Sequence, residues 1–93
     1  MNEICRFKFK DGISKAVIEE QIALAIVMAE YMLGQPRVRL YAGYAASGGK
    51  AVIDVSNNVG ECIGQIFVGL MTRKVGEANF TVERIKKKDD VSK

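Results

Sequence analysis

From Ile4 to Lys10 the chain alternates, with Cys5, Phe7 and Phe9 on one side and Ile4, Arg6, Lys8 and Lys10 on the other. A period of two predicts a strand, here with one apolar and one basic face. Asp11 and Gly12 break the pattern, and Ser14 is placed to cap a helix running to about Leu33, where Gly34 and then Pro36 supply a stop. Alternation resumes from Arg37 to Tyr44, with Val38, Leu40 and Ala42 opposed to Arg37, Arg39 and Tyr41, which predicts a second strand.

The segment Ala45 to Lys50 leads to a third strand, Ala51 to Ser56, and its adjacent glycines suit a hairpin turn that needs positive φ. Asn58 with Glu61 three residues later has the form of a capping box. The apolar set Val59, Cys62, Ile63, Ile66, Phe67, Leu70 and Met71 then keeps one helical face through to about Val75, with Gly76 as the stop. Asn79 to Lys87 alternates again as a fourth strand. One α+β domain over residues 1–88 is expected, with 89–93 a frayed charged tail.

The predicted order is β-α-β-β-α-β, the split arrangement called ferredoxin-like. Right-handed crossovers put both helices on one face of a four-stranded antiparallel sheet, with the first and third strands central. Arg6, Lys8 and Lys10 then project from the other face, and the second strand adds Arg37, Arg39 and Tyr41. Val52 and Asp54 come from the third strand, and Thr81, Glu83 and Ile85 from the fourth. A one-residue slip of register would expose Cys5 and Phe7 and bury lysine, so the hydrophobic pattern specifies the faces.

Composition narrows the chemistry. Ninety-three residues suffice for one core and no second folding unit. The longest apolar run, Ile22 to Ala29, is far shorter than the roughly 20 residues needed to cross a bilayer. Residues Met1 to Lys10 do not read as a secretory signal, which places the chain in the cytoplasm as an expectation. Histidine is absent and there are two cysteines, Cys5 and Cys62, so the usual transition-metal sites and the commonest general base are missing. No cofactor is expected, and each cysteine reads as a small hydrophobe. Close carboxylate pairs, Glu19-Glu20 and Asp89-Asp90, fall on an exposed helix turn and the tail, so no acid/base pair in a pocket is expected. An enzyme acting through tyrosine and arginine alone is a remote alternative.

The net charge of +3 is modest but unevenly spread, with clusters at Arg6–Lys10, Arg37–Arg39 and Arg84–Lys88. A basic sheet face with one aromatic ring would neutralise phosphates and stack a base, as a bound nucleotide or nucleic acid requires. The expected ligand-binding residues are therefore Arg6, Lys8, Arg37, Arg39, Tyr41 and Arg84. The central strands lack the exposed aromatics of RNA-binding domains with this topology, which argues against that mode of recognition. A merely solvated basic face, whose lysines discourage edge pairing, is the competing reading. Ser47-Gly48-Gly49-Lys50 lacks the spacing of a phosphate loop and reads as a turn. The amides at Asn57–Gly60 are a better anion site, weighed against simple capping.

The first helix is apolar almost all round between Ile22 and Ala29. With Ile18, Ile22, Ala25, Ala29 and Leu33 turned to the sheet, Leu24, Val27, Met28 and Tyr31 are left partly outside, as interface residues are. Tight contact with the neighbouring helix is the alternative to self-association as a two-fold dimer. Gly60 and Gly64 imply close approach of another backbone, from the first helix or a partner subunit, and Gly43 implies a bulge or a close approach. The composite expectation is a non-enzymatic, homo-oligomeric protein holding a phosphate-bearing ligand on its sheet face or subunit junction. The alternative is an assembly module that docks on another protein through the first helix.

Overall fold

The computed structural model describes residues 3–86, so the predicted tail at 89–93 lies outside the described residues, as do Lys87 and Lys88. Strand β1 (Glu3–Phe9) leads through a turn at Gly12, whose φ is +99°, into helix α1 (Lys15–Leu33). The Ser14 hydroxyl accepts the Val17 N–H at 3.2 Å, satisfying one of the donors orphaned at the helix start. Gly34 ends α1 at φ +96°, its N–H bonding the Glu30 carbonyl at 2.9 Å.

Here the structure departs from the alternation. Residues Gln35–Tyr41 form an additional helix, α2, not the predicted strand over Arg37 to Tyr44, so the described residues hold three α-helices in place of two. Pro36 sits in the first turn, where its fixed φ is already helical and its missing N–H is no loss. Val38, fully buried, and Ala42, half-buried, are four residues apart and therefore share a helical face as readily as a strand face, while Leu40 points outward at 73% exposure. The alternation of Val38, Leu40 and Ala42 was thus compatible with both periods, and the proline start decides for the helix.

The second strand, β2, is only Tyr44–Ser47, and a two-residue turn at Gly48-Gly49 joins it to β3 (Lys50–Asp54), with Ser47 opposite Lys50. Helix α3 (Asn58–Val75), a 3-10 turn (Glu77–Asn79) and β4 (Phe80–Lys86) complete the chain. The strands form one antiparallel sheet in the order β2-β3-β1-β4, with β1 and β3 central as expected. The α3 cap is Asn57, one residue before the predicted Asn58, its side chain accepting the Gly60 N–H at 2.9 Å.

Register settles the faces. Phe7 stands opposite Ala51 and Val82, and Cys5 opposite Ile53 and Arg84, so these share one face; Arg6 lies between Val52 and Glu83 on the other. The inward row joins the buried sides of α1 and α3 in a single hydrophobic cluster. At its centre Phe67 of α3 meets Phe7 edge to face at 4.8 Å between centroids, and Phe9 at 6.3 Å, a geometry that favours aromatic pairs beyond their buried area.

The glycines of α3 serve different ends. A Cβ on Gly60 would lie 1.7 Å from the Asp54 carbonyl oxygen, so the close approach is to the end of β3 and not to α1. A Cβ on Gly64 would meet the Val55 side chain at an ordinary 3.5 Å, and one on Gly69 would face open space. Gly43 lies outside β2, where an added Cβ would come 3.3 Å from the Asp54 Cβ, so it marks a close approach instead of a bulge. Gly60→Ala is therefore expected to lower unfolding free energy by about 3 kcal/mol through overpacking, while Gly69→Ala raises it by roughly 0.5–1 kcal/mol through helix propensity. Urea unfolding of the two variants checks both signs.

Candidate functional site

The predicted basic platform is dispersed by the fold. On the outward sheet face stand Ile4, Arg6 and Lys8 of β1, Val52, Asp54 and Lys50 of β3, and Thr81, Glu83 and Ile85 of β4. Arg37, Arg39 and Tyr41 are on α2 and do not reach this face. Arg6 donates to Glu83 at 2.7 Å, and its Nε is buried without an acceptor among the described residues. The Glu83 carboxyl is held below the usual carboxylate range, first by that hydrogen bond and then by the charge of Arg6. Lys8 is exposed and directly opposite Lys50. Three cations thus face two carboxylates, and one cation is already paired.

Arg84 is on the inward row at the sheet edge, opposite Cys5, and not on the outward face. Its guanidinium is clamped between Glu3 of β1 and Glu61 of α3, with the second nitrogen donating to Glu61 Oε1 at 3.2 Å. A guanidinium forked onto two carboxylates has its donors committed, so Arg84 links β1, β4 and α3 and is poorly placed to receive a ligand. The hydrogen bonds to Glu61 and Glu3 raise its own pKa further.

Cys5 and Cys62 are half-buried free thiols. Burial pushes the Cys5 thiol up, away from the thiolate a nucleophile requires. Among the described residues no group of three or more cysteine and carboxylate side chains is placed to hold a metal ion, and no helix is long and apolar enough to cross a membrane.

A concavity lies between α2 and the start of α3. Its volume is about 560 Å³, and it is lined by Pro36, Arg37, Leu40, Tyr41, Asn57 and Asn58. Arg37 and Tyr41, four residues apart, project from one side of α2. Arg37 donates to Asn58 Oδ1 at 3.0 Å, and Asn57 Nδ2 donates to the Tyr41 carbonyl at 3.5 Å, tying the two helices together. Gly60 N–H is taken by Asn57 Oδ1 and Glu61 N–H by the Asn57 carbonyl; of the two remaining first-turn residues, Asn58 is exposed and lines the groove, whereas Val59 is fully buried and does not. The groove unites two predicted residues with an N-terminus weighed separately in the sequence. Its apolar lining by Pro36 and Leu40 was missed, and the readable signal was the proline two residues beyond a helix-ending glycine. Arg39 turns away, pairing with Glu30 of α1 at 3.7 Å.

On α1 the residues facing the core are buried, whereas Leu24, Val27, Met28 and Tyr31 are exposed by 42, 41, 38 and 85%. A spacing of three and four aligns them in one stripe along the outer side of the helix.

Comparison with family models, curated proteins and solved structures returned no match.

The Arg84 clamp has a pH signature. The Glu3 and Glu61 carboxyls are both held below their ordinary value of 4.5, first of all by hydrogen bonds from Arg84. Groups that titrate lower in the folded chain contribute fully above the ordinary value and lose that contribution as pH falls through the lowered one. Arg84→Met is therefore expected to melt below the wild type at neutral pH, with the gap narrowing steadily below pH 4.5. Thermal unfolding followed across that range measures the convergence.

Proposed function

We propose that this chain is a non-enzymatic binding protein that holds a phosphate-bearing ligand of nucleotide size in the groove between α2 and α3. The observation that carries this reading is the convergence of Arg37, Tyr41 and the opening residues of α3, Asn57 and Asn58, on a concavity of about 560 Å³. That volume lies within the range of small-molecule sites, which combine apolar walls with a few convergent polar groups. Pro36, Leu40 and the half-exposed Tyr41 ring offer a surface for a flat base. Arg37 supplies a planar fork for phosphate, and Asn58 brings the positive end of the α3 dipole to the groove. The sheet face is the weaker candidate, because Glu83 and Asp54 offset much of its charge. Strand order and a single core support the ferredoxin-like arrangement with α2 inserted between α1 and β2, and a cytoplasmic setting belongs to the same proposal.

A second reading has its own support. The stripe of Leu24, Val27, Met28 and Tyr31 exposes large apolar side chains with no covering element among the described residues, as a protein-docking surface does. On that reading the charged groups only solubilise the chain.

Titration of a nucleoside triphosphate and of a single-stranded oligonucleotide, at low and at moderate salt, tests the first reading. The nucleotide is expected to bind with an affinity that salt changes little, and Arg37→Ala to weaken it by about tenfold or more, the effect of losing a charged hydrogen bond. Arg6→Glu is expected to change nothing. Oligonucleotide binding that collapses with salt and with Arg6→Glu would return the site to the sheet, and indifference to both ligands would leave the docking stripe as the function.

A further inference from the structure

We infer that the outer stripe of α1 pairs with the same stripe of a second copy of this chain, antiparallel, about a two-fold axis that passes between Val27 and Met28. The inference rests on the second reading, that the stripe is a docking face, and names its occupant and geometry. Glu20, Leu24, Val27 and Tyr31 follow one another at helical spacing with Met28 beside them, all exposed. Two such stripes placed antiparallel about that point set Leu24 against Tyr31 of the partner subunit and Val27 against Met28 of the partner subunit. Every apolar side chain then meets an apolar one, as an isologous contact requires.

Charge selects the direction. Glu19 and Glu20 occupy the first half of α1, and Glu19 is already paired with Lys15 at 3.8 Å, so Glu20 is the carboxylate at the head of the stripe. Past the other end of α1 comes the exposed Arg37 of α2, Arg39 beside it being already paired with Glu30. Antiparallel pairing carries Glu20 towards the basic end of the second copy and opposes the helix dipoles favourably. Parallel pairing sets Glu20 against its own copy, a like-charge contact. A stripe of this kind offers a few hundred Å², below the roughly 800 Å² per partner of a standard interface. The dimer is therefore concentration-dependent and exchanges with monomer.

Sedimentation over a rising concentration series is expected to take the wild type from 10.2 kDa to twice that mass. Val27→Glu and Met28→Lys, at exposed positions, are expected to weaken dimerisation at least tenfold with the circular dichroism spectrum unchanged. Mild oxidation is expected to cross-link Val27→Cys, next to the axis, and not Leu24→Cys, whose two copies lie about 10 Å apart along the helices; the wild type, which keeps Cys5 and Cys62, is the control. A wild type that stays monomeric throughout overturns the self-pairing alone. Leu24→Cys linking as readily as Val27→Cys overturns the antiparallel order. A dimer indifferent to Val27→Glu overturns both the pairing and the docking face on which it rests.

Discussion

The contact between the first turn of α3 and the end of β3 fixes the positions of most other parts. A backbone approach that leaves no room for a Cβ at Gly60 sets where α3 begins relative to the sheet. From that start the helix carries Phe67 over Phe7 and Phe9, and sets Glu61 beside Arg84 at the sheet edge. The same start places Asn57 and Asn58 against α2, so the groove wall and the aromatic core descend from one steric constraint. A glycine that weakens the helix by its own propensity is thus retained for what its missing side chain admits.

Much of the basic charge is absorbed by the fold before any ligand is considered. Arg6 answers Glu83 across a strand pair, Arg39 answers Glu30 between helices, and Arg84 answers two carboxylates from different elements. Exposed pairs of this sort add little stability individually. Their effect is to redistribute potential, offsetting part of the charge on the sheet face and leaving α2 as a region where an arginine and a tyrosine stand together beside a helix start.

How much of this was legible varies by element. The β1 alternation, the Ser14 cap, the Gly48-Gly49 hairpin and both long helices follow from local chemistry, and the faces of α1 from its period. The second strand failed because Val38 and Ala42 satisfy either period, so the competing patterns could be separated only by Pro36. The cancellation of Arg6 was hidden for another reason: Glu83 is 77 residues away in the chain, and only the β1–β4 register brings them opposite. The groove likewise joins residues 36–41 to 57–58, two segments whose adjacency no local pattern encodes.

The sheet ends unlike a template for growth. Its β2 margin is four residues long, and its β4 margin carries Glu83, Arg84 and Lys86 within seven. A short margin offers few backbone groups to an incoming strand, and a charged one repels its own copy. Strand-by-strand growth is therefore discouraged at both borders of the described sheet.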